Sequence, residues 1–212
     1  MKIFCIEKNY PLGVASRYVS QNIKPETLNK VELPVFFMKP NTALVQRNRP
    51  FFIPEWTQVV QYEAELVLKV CKNGKYIQEQ FAHTYYDEIG IGIDFTAHDL
   101  QNDLIAQGLP WEKAKAFDYS APVGTFLPKE QLNIEQGIRF SLKKNGELCQ
   151  SGNSREMIFS FDRIIAEISQ YVTIKMGDLI FTGTPANVGT VQIGDTLEAF
   201  VEDKMLLRVP IK

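Results

Sequence analysis

Ten consecutive residues, Gln61-Tyr-Glu-Ala-Glu-Leu-Val-Leu-Lys-Val70, alternate at period two, with Tyr62, Ala64, Leu66, Leu68 and Val70 on one face. Alternation at this period marks a strand with one buried face and excludes an amphipathic helix. Other stretches repeat the theme. Pro34 and Pro40 enclose the short apolar run Val35-Phe36-Phe37-Met38-Lys39, and Ile89 to Phe95 reads as a buried strand with two glycines. Ile138, Phe140 and Leu142 alternate ahead of Asn145-Gly146, a dipeptide suited to a two-residue hairpin turn. Asn73-Gly74, just past the first strand, predicts a second hairpin. Helices are few. Residues 97–108 read as one, stopped by Gly108 and Pro110. Residues 161–172 form the clearest, with Ile164, Ile165, Ile168, Tyr171 and Val172 in one stripe and Ser160 as cap. Strands outnumber helices and do not alternate with them. That predicts an α+β fold with antiparallel or mixed sheets, not a doubly wound one.

No linker or repeat divides the 212 residues, so residues 1–212 are expected to form a single domain. Twenty-five acidic against 23 basic side chains give a net charge of -2. With no basic surplus to neutralise phosphates, a nucleic-acid partner is not expected. No apolar run reaches membrane-spanning length, and Glu7 and Lys8 follow Met1–Ile6 too soon for a signal peptide. The three cysteines, Cys5, Cys71 and Cys149, form no CxxC pair and read as reduced thiols of a cytoplasmic protein. Two histidines, His83 and His98, argue against a His-rich zinc site or a Ser-His-Asp triad.

Against this background four segments could carry chemistry. Glu63 and Glu65 lie two apart on the alternating strand, so both carboxylates leave one face about 6.5–7 Å apart at the backbone. They either face solvent or share a cation. Asp94 follows the apolar run Ile89–Ile93, where a carboxylate must be paired, hydrogen-bonded or metal-bound, unless it caps the helix beginning near residue 97. Three carboxylates without His or Cys would make an all-oxygen site for Mg²⁺, Mn²⁺ or Ca²⁺ rather than zinc. Lys115 sits between small residues ahead of Phe117 and either points inward or, like Lys113, is solvated. An inward lysine near a metal could bind a carboxylate or move a proton. Thr182-Gly183-Thr184-Pro185 follows an apolar strand, and its glycine, hydroxyls and N–H groups could hold a carboxylate.

In order and spacing these segments resemble the fumarylacetoacetate hydrolase family, especially its short members. The resemblance spans nearly the whole chain. It rests on Tyr62-Glu63-Ala64-Glu65-Leu66, Asp94 through Gln101, Gly108-Leu109-Pro110-Trp111 through Asp118, and Gly177 through Pro185. It implies a mixed β-sandwich roll with few helices, usually dimeric, in which residues 1–45 or so supply a strand and a lid-like segment. It also implies an enzyme that binds Mg²⁺ or Mn²⁺ and acts on short 2-oxo or β-diketo acids by C–C hydrolysis, decarboxylation, hydration or keto–enol isomerisation. Carried over by position, Glu63, Glu65 and Asp94 are the metal ligands, Lys115 is the active-site lysine, and Lys8, Gln101 and Thr184 bind substrate.

The departures bear on the reaction. The family's lid His and Glu are replaced by Gly13 and Ser16, its substrate-binding Arg by Lys8, the His before Tyr-Glu-x-Glu by Gln61, and the Arg of Thr-Ala-Arg-Asp by His98. Lys8 keeps the charge of Arg but not its two-pronged donor geometry. Hydrolysis needs a base to activate water. The resemblance with these departures therefore implies weak hydrolysis and better-preserved isomerisation or decarboxylation. The alternative is a protein that binds metal and a 2-oxo acid with little or no turnover.

Overall fold

A computed structural model describes residues 1–11, 32–45 and 48–212. Six strands form the main sheet: β1 (Ile3–Glu7), β2 (Val35–Lys39), β5 (Ala64–Val70), β6 (Tyr86–Ile93), β9 (Leu127–Pro128) and β12 (Leu179–Phe181), in the order β2-β1-β12-β5-β6-β9. The pair β1–β12 is parallel, with Ile3 opposite Leu179, whereas β12–β5 and β5–β6 are antiparallel. A second sheet of four strands, β10 (Arg139–Lys144), β11 (Glu147–Asn153), β14 (Thr196–Val201) and β15 (Lys204–Pro210), runs in the order β11-β10-β14-β15. A third sheet joins β4 (Val60–Tyr62) to β7 (Thr96–Ala97) and β13 (Gly189–Thr190), and β3 (Leu44–Val45) pairs with β8 (Ala121–Pro122). Four α-helices accompany them among the described residues: α1 (Glu79–Ala82), α2 (His98–Ala106), α3 (Glu112–Lys115) and α4 (Phe161–Tyr171). This is the α+β fold with mixed sheets that the strand-rich pattern predicted, in the mixed β-sandwich roll that the resemblance implied.

Strand β5 explains the layering. Leu66 and Leu68 enter the main core with Ile91, Ile93 and Phe140, while Val67 joins Ile3, Cys5 and Phe181 in a second cluster. Both faces of β5 are therefore covered, although its alternation alone describes a strand with one wet face. Helix α4 closes the core with Ile164, Ile165 and Ile168, and the Ser160 hydroxyl accepts a hydrogen bond from the Arg163 N–H at 3.1 Å. That bond satisfies one of the otherwise orphaned first-turn donors.

Two sequence expectations need correction. Tyr171 was placed in the buried stripe of α4 but is 65% exposed. The helix ends there, Val172 is already extended, and the Tyr171 ring only leans on Phe36 at the sheet's margin. Asn73-Gly74 is not a hairpin turn. Gly74 exchanges both backbone hydrogen bonds with Ile174, and the chain then runs through α1 before β6 begins. Glycine is required there for close approach: a Cβ would lie 2.4 Å from the Tyr85 ring and 2.6 Å from Ile77. Asn145-Gly146 does make the expected turn, with φ of 55° and 85°, the left-handed pair of a two-residue hairpin.

Candidate active site

The site forms where one strand leaves one sheet for another. Residues 60–62 pair with β7 and β13, residues 64–70 pair with β12 and β6, and Glu63 occupies the joint. Opposite the joint β6 ends at Ile93, and the Asp94 N–H donates to the Glu63 carbonyl at 2.8 Å. The same bend brings Glu65 beside them. Glu63, Glu65 and Asp94 are 4%, 1% and 1% exposed, and each offers a carboxylate oxygen within 4.8 Å of the others. The solvent-facing reading of the two glutamates therefore fails. So does helix capping by Asp94: α2 begins four residues later, and the carboxylate bonded to its first turn is that of Asp99.

Lys115 is fully buried at the end of α3. Its ammonium donates to Glu63 Oε1 at 3.2 Å and Asp94 Oδ2 at 3.1 Å, and lies 3.9 Å from Glu7 Oε1. Thr96 Oγ1 also donates to Glu63 Oε1, at 3.2 Å. Glu65 Oε2 accepts from the Gly183 N–H at 2.6 Å. Gly183 has φ of 98°, and a Cβ there would fall 2.7 Å from that of Asn9, so only glycine can bring this N–H in. Burial, followed by the charges of Asp94 and Glu63, pushes the Glu65 carboxyl well above the usual carboxylate range, and the Gly183 bond offsets only part of this.

Lys39, also fully buried, approaches from the other side. Its Nζ lies 2.7 Å from Asp94 Oδ1, but it donates to the carbonyls of Phe95, Lys115 and Ser120 and to the Ser120 hydroxyl. The contact with Asp94 is ionic without an aligned hydrogen bond, and Oδ1 has no directional donor. Three buried carboxylates thus meet two buried ammonium groups, with Asp94 Oδ1 held by charge alone. Converged hard oxygens, residual negative charge and an acceptor without a directional donor together fit a divalent cation of the Mg²⁺ or Mn²⁺ kind.

The other predicted residues divide. Thr184 lies at the site: its hydroxyl donates to the Ala64 carbonyl at 2.9 Å. Lys8 follows β1 with left-handed backbone, φ 57°, next to Glu7. Gln101 is buried on α2 and makes no hydrogen bond to the three carboxylates. His98 turns along its own helix, its Nε2 3.2 Å from the Asn102 amide, and His83 is exposed just past α1. Gly13 and Ser16 lie outside the described residues. Sequence reasoning missed Lys39, Glu7, Thr96 and Gln150. Gln150 carried a usable signal, since it stands opposite the core residue Leu142 in the β10–β11 hairpin, at an inward register normally apolar. Lys39 carried none: its strand buries the lysine and exposes Val35 and Met38.

Comparison with known proteins finds relatives along nearly the whole chain. The family model described as fumarylacetoacetate (FAA) hydrolase C-terminal matches residues 2–212. The mouse mitochondrial protein named oxaloacetate tautomerase FAHD1 is 35% identical over 210 residues, covering 99% of this chain and 91% of that protein. The Escherichia coli K12 protein named oxaloacetate tautomerase YcgM is 35% identical over 197 residues, covering 92% and 86%. Among solved structures, fumarylpyruvate hydrolase from Pseudomonas aeruginosa in complex with Mn²⁺ and pyruvate superposes with a TM-score of 0.86 at 30% identity, covering 100% of this chain and 90% of that one.

Proposed function

This chain belongs to the fumarylacetoacetate hydrolase family and is an enzyme of it; from that premise we propose a divalent-metal-dependent keto–enol isomerase of short 2-oxo acids, with oxaloacetate the substrate to test first. The observation that carries the reading is the convergence of Glu63, Glu65 and Asp94 around the buried ammonium of Lys115. Similarity to proteins named oxaloacetate tautomerase in mouse and E. coli supports the choice of substrate. Glu63, Glu65 and Asp94 would hold the cation, which when bound supplies Lewis-acid stabilisation of an enolate beside the 2-oxo carbonyl. The buried Lys115 ammonium, bonded to two of the carboxylates, gives a proton to the neighbouring carbon in the ketonising direction while the enol hydroxyl gives up its own, which restores the ammonium; the reverse direction undoes both transfers. Thr184, Gln101 and Lys8 orient the acid, with Lys8 supplying positive charge for a second carboxylate. Burial of the carboxylates limits access of water, which favours proton exchange over hydrolysis.

The test is decay of enol-oxaloacetate absorbance with Mn²⁺, with Mg²⁺ and with chelator, beside acylpyruvate cleavage in the same preparation. Metal-dependent isomerisation exceeding cleavage is expected. Cleavage as the faster reaction would defeat the proposal, and would show that a residue other than Gly13 or Ser16 supplies the base. Gly13→His/Ser16→Glu should raise cleavage. Within the same proposal the enzyme is a cytoplasmic homodimer. Light scattering should give about twice the 24.2 kDa chain mass, closed two-fold pairs being the commonest assemblies.

A further inference from the structure

Ala64 separates the two glutamates, and two side chains reach its peptide groups. Its N–H donates to Gln150 Oε1 at 3.0 Å, and its carbonyl accepts from Thr184 Oγ1 at 2.9 Å. Gln150 and Thr184 also meet each other, Nε2 donating to Oγ1 at 3.1 Å. The three bonds close a ring in which every donor points the same way round.

The chemistry of the groups fixes that direction. A peptide N–H can only donate, so Gln150 must turn its oxygen to Ala64. Its nitrogen then faces Thr184 Oγ1 and the carbonyls of Pro185 and Ala186 at 3.2 and 3.3 Å, which can only accept. The reverse amide orientation would set donor against donor on one side and oxygen against two carbonyls on the other. Having accepted a hydrogen bond from Gln150, Thr184 donates its own to the Ala64 carbonyl. One lone pair remains on Oγ1, and no proton. Gln150 is 1% exposed and belongs to β11 of the second sheet, so the ring also ties that sheet to the joint carrying the glutamates.

We propose that Gln150 is a positioning residue of the active site, which locks the peptide between Glu63 and Glu65 and holds the Thr184 hydroxyl as an acceptor. The inference rests on the function proposed above, in which Thr184 meets the substrate. An acceptor-only Thr184 recognises a ligand hydroxyl. The enol of a 2-oxo acid carries one beside the carboxylate and the keto form does not, so the ring favours the enol. A carboxylate, itself an acceptor, gains nothing from this oxygen.

The test uses the full chain with Gln150→Asn, which keeps the amide but is one methylene too short to span the ring, with Thr184→Val, and with both. Each single change should lower kcat/KM for Mn²⁺-dependent conversion of enol-oxaloacetate about tenfold, the scale of one lost buried hydrogen bond. The double variant should be no worse than the poorer single, and Thr184→Ser should recover most of the rate. Without substrate, Gln150→Asn should weaken Mn²⁺ binding, read by electron paramagnetic resonance, by about fivefold. Multiplying losses in the double variant would overturn the inference. So would wild-type turnover and wild-type Mn²⁺ affinity in Gln150→Asn. Should that variant fail to fold, full turnover by Thr184→Val overturns the inference on its own. A wild type that binds Mn²⁺ but isomerises no 2-oxo acid would sink the proposed function instead, while the Mn²⁺ comparison still decides whether Gln150 positions the glutamates.

Discussion

The two sides of Asp94 are each closed by a fully buried lysine, yet the two lysines face different partners. On one side Lys39 gives its protons to carbonyls of Phe95, Lys115 and Ser120 and to the Ser120 hydroxyl. On the other, Lys115 gives its protons to the carboxylates of Glu63 and Asp94, with Glu7 at the edge of reach. Carbonyls stay where the chain puts them, so Lys39 works as a cross-brace between β2 and the loops around Phe95 and Ser120. Carboxylates can be taken over by a cation, so the partners of Lys115 can change. Two residues with the same burial and the same charge are thus separated by what accepts their protons: one braces the frame, and the other is, in the function proposed above, the one that takes part in the chemistry.

The comparison can be broken most directly at Lys115. Lys115→Met should lower isomerase turnover about 10²–10⁴-fold, the usual worth of a positioned proton-transfer group. Near-normal turnover would place the proton elsewhere. Next comes stability. Lys39→Met should lower unfolding free energy by about 3 kcal/mol, because it strands a buried carboxylate oxygen and several carbonyls. Mn²⁺ sharpens the contrast: it should restore the melting midpoint of Lys115→Met, whose loss is one of charge compensation, and should leave most of the deficit in Lys39→Met. Equal rescue of both in a thermal scan would erase the distinction between frame and chemistry. The smallest effect is expected at Glu7. At 3.9 Å from Lys115 and partly exposed, its loss in Glu7→Gln should alter turnover less than about threefold, the range of a weak ion pair. A large fall in steady-state rate would move Glu7 into the centre of the site.

What could be read in the sequence divides along a related line. The extended run over Gln61–Val70, the Asn145-Gly146 turn and the Ser160 cap depend on neighbours within a few residues and are found, though the run bends at Glu63 and both of its faces are covered. Asn73-Gly74 misleads because the partner that uses Gly74, Ile174, lies a hundred residues on. Of the carboxylate trio, Asp94 was conspicuous as a charge next to an apolar run, whereas Glu63 and Glu65 showed only that they share a strand face, which left solvent and a shared cation both open. Lys39 was not, since its burial comes from β2 packing under the Phe95 and Ser120 loops rather than from any pattern in its own strand. Gln150 lay between these cases. Its inward register could be inferred from the hairpin, but its partners Ala64 and Thr184 become neighbours only when two sheets meet.

The parallel pairing of β1 with β12 also imposes an order in time. Ile3 and Leu179 are neighbours in the finished sheet, yet they stand at opposite ends of the chain. At about 5–20 residues per second on the ribosome, β12 emerges some 10–35 s after β1. During that interval β1 can pair with β2, but the edge reserved for β12 is open and Cys5, destined for the apolar cluster with Val67 and Phe181, stays uncovered. The β1–β2 pair therefore waits on the C-terminal half, and contacts so distant in sequence make for slow folding. Glu65 gains its Gly183 bond only when the segment just after β12 arrives. The carboxylate cluster is thus among the last parts of the molecule to be completed, and a nascent chain has no means of closing it early.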